Sequence, residues 1–281
     1  MRVAIIGLGL IGGSLAMALR RARPEWELIG DDHVPETMQQ AVRGGLVQSG
    51  DIRTADIVVL AVPIPAFPKV LAGLSGSKAV ITDVASTKTQ VMAWAEAAGV
   101  DLIGGHPMAG RERGGLEMAK ADLFEHAPWV LTREQPKLLE MIRAVGAVPL
   151  LMEFELHDEV IAGVSHLGFV LSAAYMLALA KHPRWEQMAQ LTGPGFQGMT
   201  RLMLGDPCLP SAIAKSNCRA MIQILTTFEA ELTAFRKGLE AEGESVGALF
   251  SEAHQAAERF ATVKDEFINQ AGRGRSNVKE S

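Results

Sequence analysis

Short apolar runs alternate with helical segments over the first half of the chain. The predicted strands are RVAII (2–6), WELIG (26–30), DIVVLAV (56–62), AVITDV (79–84), DLIGG (101–105), PWVLT (128–132) and AVPLLM (147–152). Strands that alternate with helices of this length indicate parallel βαβ units, and nearly continuous apolar strands suit a sheet covered on both faces. Residues 1–152 are therefore predicted to form an α/β domain with a doubly wound parallel sheet.

The strand pattern ends near Glu153. Residues 155–182, 211–242 and 244–270 have the apolar spacing of long helices, and links around LTGPGFQG and LGDPCLP separate them. We expect an all-α domain over 153–270, followed by a polar, flexible tail over 271–281.

One helical stretch, residues 162–180, is apolar and long enough to span a bilayer. Its polar residues Ser165, His166 and Ser172 would be costly in a membrane, so we interpret it as a core or subunit-interface helix.

Composition narrows the function classes. The chain has 281 residues, 48% hydrophobic and 21% charged, which is enough apolar surface to bury a core. A formal net charge of −5 argues against nucleic acid as the main partner. Two cysteines in so long a chain favour a reducing compartment, and an N-terminus that runs directly into a strand pattern leaves no room for a signal peptide. We expect a cytoplasmic protein without a membrane or nucleic-acid partner.

Residues 7–12 read GLGLIG, directly after a predicted strand and at the start of a predicted helix. This context makes the glycine spacing a Rossmann-type dinucleotide fingerprint. Gly7 permits the tight turn, Gly9 lets the backbone approach a pyrophosphate, and Gly12 lets helix and strand pack closely. Further candidate cofactor-binding residues are Leu10 and Ile11 within the fingerprint and Val62 and Pro63 after the third predicted strand.

Asp32 ends the second predicted strand, where an acidic residue can accept both ribose hydroxyls. A carboxylate there repels a 2′-phosphate, so NAD is predicted and NADP is less favoured. Asp31 competes for this role, and both residues could instead cap the next helix. No metal site is predicted.

Three later strands are predicted to end in the loops AVPIP (61–65), DVASTKT (83–89) and GGHPMAG (104–110), at the edge of the sheet where such folds bind ligands. This position puts Ser86 and His106 near a hydride acceptor. A neutral imidazole can remove a hydroxyl proton as hydride leaves a carbinol carbon, and a neighbouring hydroxyl can orient the substrate oxygen. The alternative is that His106 is a loop residue hydrogen-bonded to the backbone.

The segments GLGLIGGSLA, DVASTKT, GGHPMAG and HDEVIAGVSHL (157–167) resemble the prephenate and arogenate dehydrogenases of tyrosine biosynthesis, in order and over nearly the whole chain. The resemblance implies a nucleotide-binding domain followed by a helical domain that forms a homodimer. It also implies NAD-dependent oxidative decarboxylation of a cyclohexadienyl acid.

The resemblance also implies residue roles. His106 would be the base that accepts the C4 hydroxyl proton, and Ser86 would hydrogen-bond the same region. His166 would face the substrate cleft, and Arg201 in GFQGMTRL would bind a substrate carboxylate through its planar guanidinium. Arg111 is a further candidate for substrate binding.

Three positions depart from the family pattern. Phe169 stands where many prephenate-specific relatives have a second histidine, Arg111 where many have a small hydroxyl residue, and Gly198 where an aspartate is usual. The loss of the second histidine favours arogenate slightly over prephenate.

Two other functions stay open: a β-hydroxyacid or imine reductase, which would rely on a lysine on the first helix of the second domain, and a non-catalytic NAD-binding sensor.

Five histidines have no convergent partner visible in the sequence and are predicted to be structural or exposed: His33, His126, His157, His182 and His254. Of these, His157 together with Asp158 is a candidate helix cap.

Overall fold

A computed structural model describes residues 1–111, 113–241, 243 and 245–276. Its strands are β1 (Arg2–Ile6), β2 (Glu27–Asp31), β3 (Ile57–Leu60), β4 (Val80–Asp83), β5 (Leu102–Ile103), β6 (Gly105–Pro107), β7 (Pro128–Leu131) and β8 (Val148–Leu151). Its α-helices are α1 (Leu10–Ala22), α2 (Pro35–Arg43), α3 (Phe67–Ala72), α4 (Thr89–Ala97), α5 (Pro136–Ala144), α6 (Phe154–Ile161), α7 (Leu167–Ala180), α8 (Trp185–Gln190), α9 (Pro194–Thr200), α10 (Cys208–Ser216), α11 (Cys218–Glu240) and α12 (Val246–Ser276).

Five parallel strands form the first sheet in the order β2-β1-β3-β4-β5. All residues of β3 and nearly all of β1 are buried, as expected for a sheet covered on both faces. The predicted doubly wound α/β fold followed by helices is confirmed. Because the strands are parallel, the loops that follow β1, β3, β4 and β5 lie at the same edge of the sheet.

The chain changes sheet between β5 and β6, at Gly104. Its N–H donates to the Thr132 hydroxyl at 2.9 Å, and the next residues enter a separate three-stranded sheet in the order β6-β7-β8. His106 lies in β6, paired antiparallel with Val130 of β7, so the prediction that it lies in a loop after a strand is wrong. The reason is close backbone packing: a Cβ on Gly105 would lie 2.4 Å from the carbonyl oxygen of Asp83, and glycine lets the chain stay extended there.

The predicted helix over 155–182 is interrupted. Helix α6 ends at Ile161, a π turn spans Ala162–His166, and α7 continues to Ala180. The predicted link LTGPGFQG contains helix α9, because Pro194 occupies the first turn, where its missing N–H costs no hydrogen bond.

The last predicted helices also differ in detail. The stretch 211–242 consists of α10 and α11, which are separated at Asn217. Helix α12 extends to Ser276, so the start of the predicted tail is helical, and residues 277–281 lie outside the described part of the chain.

Residues Met1–Met221 form one compact unit and the residues from Ile222 onward form a second. In the second unit, the Phe235 and Phe250 rings pack with centroids 5.2 Å apart. The predicted boundary between residues 152 and 153 falls inside the first unit and stays a prediction.

Helix α6, the π turn and α7 together form one helical span, Phe154–Ala180. Among the described residues, this span alone is long and apolar enough to cross a membrane, by length and composition. Only 28% of its most apolar window is buried within the single chain, so much of this surface is exposed.

Candidate active site

The GLGLIG turn connects β1 to α1 and depends on its glycines. Gly7 has φ 94°, and a Cβ on Gly12 would lie 1.9 Å from the carbonyl oxygen of Gly7. A Cβ on Gly9, by contrast, would meet no described atom within 4 Å. Open space therefore borders Gly9 at the N-terminus of α1, where free N–H groups favour an anion such as a pyrophosphate.

Asp32 holds this turn against the end of β2. Its Oδ2 accepts a hydrogen bond from the Leu8 N–H at 2.7 Å, and its Oδ1 accepts one from the Val34 N–H at 2.8 Å. The side chain is 8% exposed, whereas Asp31 is exposed. Each carboxylate oxygen of Asp32 has a further lone pair, so the residue can still accept a ribose hydroxyl.

The other predicted cofactor residues adjoin the same turn. Leu10 and Ile11 begin helix α1. Val62 and Pro63 follow β3, and Val62 Cγ1 would lie 3.2 Å from a Cβ placed on Gly7. The structure thus places these residues around one edge of the sheet.

A buried hydrogen-bonded chain connects three side chains at this edge. His106 Nδ1 lies 2.9 Å from His157 Nε2, and His157 Nδ1 lies 2.8 Å from Asp158 Oδ1. The carboxylate can only accept, so a neutral His157 carries its proton on Nδ1 and accepts at Nε2. His106 must then donate from Nδ1, and its Nε2 keeps a free lone pair. The chain of contacts therefore leaves a hydrogen-bond acceptor at the outer end.

The Asp158 carboxylate is held ionised in a buried position. Burial alone raises its pKa, but hydrogen bonds from His157 and from the backbone N–H groups of Lys88 and Thr89 outweigh burial, and the pKa is lowered. The two N–H groups lie 2.7 and 2.8 Å from its oxygens. The predicted capping role thus applies to another helix, because Asp158 of α6 caps the N-terminus of α4.

Two of the three buried histidines in this cluster, His106 and His166, are weak bases. Burial lowers the pKa of His106 well below 6.5, and electrostatic interactions with His157, Lys88 and His166 lower it further. Burial also lowers the pKa of His166 to about 4, although the Asp158 charge opposes this shift. Both imidazoles are therefore neutral at pH 7, and His106 needs no prior loss of a proton to act as a base.

A buried ion pair fixes the peptide that precedes His106. The Lys88 ammonium contacts the Asp83 carboxylate and donates to the Gly105 carbonyl at 2.7 Å, and Asp83 Oδ1 accepts from the Gly105 N–H at 2.8 Å. Burial lowers the pKa of Lys88, although the Asp83 charge opposes the shift. Because the backbone N–H and carbonyl of Gly105 are both hydrogen-bonded, the backbone at the start of β6 has little conformational freedom. This restraint orients the neighbouring His106.

The remaining predicted residues lie in different environments. Ser86 is half-buried after β4, and its hydroxyl makes no hydrogen bond with the described part of the chain. Its backbone lies close enough to His166 to raise the pKa of that ring. His166 is fully buried at the end of the π turn. Arg201 is exposed after α9, and Arg111 is exposed in the loop after β6. The structure thus joins His106 and His166 in one cluster and leaves both arginines at the surface.

Sequence reasoning missed several residues of this cluster. The prediction that His157 lacks a convergent partner is wrong, since its ring contacts His106. Lys88 and Asn217 were not singled out either, although both are buried and contact the cluster. The available signal was the pair His157–Asp158 at the start of the motif HDEVIAGVSHL, because a histidine beside a carboxylate can be oriented by it.

Two family models match consecutive parts of the chain. The nucleotide-binding domain of prephenate dehydrogenase matches residues 15–148, and the dimerization domain of prephenate dehydrogenase matches residues 153–252. The chain belongs to the prephenate dehydrogenase family. It therefore carries the nucleotide-binding and dimerisation domains of that family.

Individual relatives agree with this assignment. A prephenate dehydrogenase of Lactococcus lactis is 31% identical over 82% of this chain and 69% of its own length. The crystal structure of prephenate dehydrogenase from A. aeolicus with hydroxyphenyl propionate and NAD+ has a TM-score of 0.83 at 29% identity, covering 92% of this chain and 98% of that one. Synechocystis arogenate dehydrogenase has a TM-score of 0.74 at 30% identity, covering 95% and 100%.

The buried Lys88–Asp83 pair generates a stability prediction. Lys88→Met leaves the Asp83 carboxylate buried without its cation, so we expect the free energy of unfolding to fall by about 3–5 kcal/mol. The matched control is Lys137→Met, which removes the partner of Asp56 in a half-exposed pair and should cost about 1 kcal/mol or less. Denaturant titration of the three proteins measures both changes, and equal losses in the two variants would contradict the role of Lys88.

Proposed function

We propose that the protein is an NAD-dependent dehydrogenase that oxidatively decarboxylates arogenate or prephenate, giving tyrosine or 4-hydroxyphenylpyruvate. The observation that carries the proposal is the neutral, buried His106. Its free lone pair is held in place by His157 and Asp158 at the sheet edge that also carries the GLGLIG turn. Family membership supports the same reaction.

The chemistry follows from that lone pair. When bound, NAD supplies the hydride acceptor. His106 Nε2 takes the proton of the C4 hydroxyl as hydride leaves C4, so that oxygen becomes a carbonyl oxygen. The C1 carboxylate leaves as carbon dioxide, its bonding electrons enter the ring, and the oxygen regains a proton as the ring becomes a phenol. Throughout, Asp158 stabilises the transient charge on His106 through His157.

Ser86 and His166 are proposed to contact the substrate near the reacting oxygen. The Ser86 hydroxyl follows β4 at the same sheet edge and is open to a ligand. We assign Arg201 to a substrate carboxylate, because a guanidinium matches carboxylate geometry. Exposed Arg111 is kept as a second cation, because arogenate and prephenate each carry two carboxylates.

The cofactor and substrate choices are narrower proposals. Asp32 next to the Gly9 turn supports NAD over NADP, because its charge repels a 2′-phosphate. Phe169 lines an apolar cavity with His166 and offers no donor to a second polar group of the substrate. On that ground we infer a preference for arogenate over prephenate.

The two alternative functions are less well supported. A redox sensor needs the dinucleotide turn but gains nothing from a buried histidine chain next to it, since burying such polar groups costs stability. A reductase that relies on a lysine on the first helix of the second domain would need one on α6 or α7. Neither helix contains a lysine, and the buried side of this span carries His157 on α6 and His166 in the π turn instead.

We also propose a homodimer formed through the exposed apolar surface of the Phe154–Ala180 span. The family model that covers this span is a dimerization domain, and continuous apolar surface of this kind is typical of subunit interfaces. The two free cysteines, Cys208 and Cys218, are compatible with the reducing cytoplasm that we propose as the location.

A direct assay tests the reaction, the cofactor and the substrate together. Arogenate and prephenate are supplied separately with NAD or NADP, and the absorbance of the reduced nicotinamide is followed with time. We expect turnover with NAD, and a higher kcat/KM for arogenate than for prephenate. No reduction with either acid would overturn the proposed function, whereas faster turnover with NADP, or with prephenate, would overturn only the cofactor or the substrate assignment.

His106→Asn tests the proposed base. The amide can keep a polar contact with His157 but cannot accept the substrate proton, so we expect kcat to fall by about 10²–10⁴-fold with little change in NAD affinity. Steady-state kinetics and an NAD titration by isothermal calorimetry measure the two effects. His182→Asn, an exposed histidine outside the cluster, is the matched control. Unchanged turnover in His106→Asn would show that His106 is not the base.

The homodimer has a simple solution test. We expect sedimentation equilibrium to give about twice the chain mass of 30.1 kDa. Val164→Glu places a charge on the apolar span at a residue that is 75% exposed in the single chain, so it should shift the mass toward the monomer without unfolding the protein. A monomeric parent protein would contradict the proposal.

A further inference from the structure

Asn217 lies between α10 and α11 and is almost fully buried. Its side-chain nitrogen Nδ2 lies 2.7 Å from the backbone carbonyl oxygen of Asp158 and 3.1 Å from Nδ1 of His166. The amide therefore contacts helix α6 and the end of the π turn at the same time. None of the roles discussed above involves this residue.

The two contacts determine which nitrogen of His166 carries the proton. A carbonyl oxygen can only accept, so the atom of Asn217 that faces Asp158 must be the amide nitrogen. The same nitrogen faces His166 Nδ1, which must then accept with its lone pair. A neutral imidazole has one proton, and here it must be on Nε2. His166 is neutral because burial lowers its pKa to about 4.

The protonated nitrogen, His166 Nε2, is buried and makes no hydrogen bond of ordinary geometry with the described residues. The Ser86 backbone lies close enough to His166 to raise its pKa. Because His166 Nδ1 faces Asn217, Nε2 is the nitrogen that faces the loop after β4. The ring also lines a cavity of about 160 Å³ whose other lining residues are apolar. A donor in this position can be satisfied by a ligand oxygen.

We propose that Asn217 is a positioning residue that fixes His166 in the Nε2–H form, so that His166 is a permanent hydrogen-bond donor to a ligand oxygen near Ser86. The identity of that ligand, a cyclohexadienyl acid, rests on the proposed function. The tautomer does not rest on it, because it follows from contacts within the protein.

A purely structural role is the competing explanation, since Asn217 also connects two helices. Asn217→Asp separates the two roles, because aspartate has nearly the same shape but presents a carboxylate oxygen that cannot donate. Facing that oxygen, His166 must protonate Nδ1. Nε2 then becomes an acceptor, or the ring becomes a cation. Ser216→Ala is the matched control, because it removes the neighbouring hydrogen bond to Thr87 at 2.9 Å without touching His166.

Nuclear magnetic resonance of protein with 15N-labelled histidine gives the tautomer directly. Long-range 15N–1H correlations distinguish the two neutral forms and the cation, and His166→Gln identifies the signals of His166. We expect the Nε2–H form in the parent protein and in Ser216→Ala, and a protonated Nδ1 in Asn217→Asp. A protonated Nδ1 in the folded parent would overturn the proposal without any variant at Asn217.

Kinetics test the consequence for the ligand. In Asn217→Asp, at a pH where the 15N signals show a neutral His166 ring, we expect kcat/KM for the cyclohexadienyl acid to fall about ten- to hundredfold. This is the effect of losing one hydrogen bond from a buried donor, and the Kd for NAD should be unchanged. A neutral Nδ1–H ring in Asn217→Asp with unchanged kcat/KM would overturn the role toward the ligand. If the parent turns over neither acid, the proposed function fails while the tautomer result still stands, so the two failures are distinguishable.

Discussion

The buried carboxylate of Asp158 is the group on which the arrangement of the site depends. An ionised carboxylate in the interior is costly unless donors surround it, and here three donors converge on it: the N–H groups of Lys88 and Thr89 and the imidazole of His157. These donors come from two segments that are far apart in sequence, so satisfying the carboxylate docks α6 against the start of α4. The same contacts order the protons along the chain to His106. One electrostatic requirement thus sets both the packing of the helices and the direction in which the terminal imidazole can react.

The site solves the problem of buried polarity in two ways. Lys88 and Asp83 are buried together as an ion pair, and both also form hydrogen bonds with the backbone of Gly105. His106 and His166 are instead neutral, because burial and nearby positive charge disfavour their cations. A base of this kind holds a proton only weakly, which suits a reaction in which the oxygen must regain a proton at the end. Asp158 does not contact His106 directly, so its charge acts on that ring through the intervening ring of His157.

Local patterns predicted the parts of the molecule that depend on local chemistry. The glycine turn, Asp32 and the alternation of strands and helices are encoded in short segments, and His106 stands out because of its glycine neighbours. What the sequence could not show depends on distant packing. His157 meets His106 from a helix 51 residues away, and Asn217 meets His166 at the same separation. The strand position of His106 depends on the close approach of Gly105 to β4, and the π turn has no residue signal of its own.

The π turn at Ala162–His166 changes the angular phase of α7 relative to α6. At about 100° per residue, His157 and His166 on a continuous α-helix would point to roughly opposite sides. The surplus residue accommodated within Ala162–His166 rotates the second half back by one position, so that both rings are buried and act on each other electrostatically. The wider geometry of the turn, with all of its residues present, therefore keeps His166 in the cluster. A substitution that restored regular α-helical geometry without removing a residue would turn His166 by about 100° out of the cluster, whereas a deletion of the surplus residue would leave its phase unchanged.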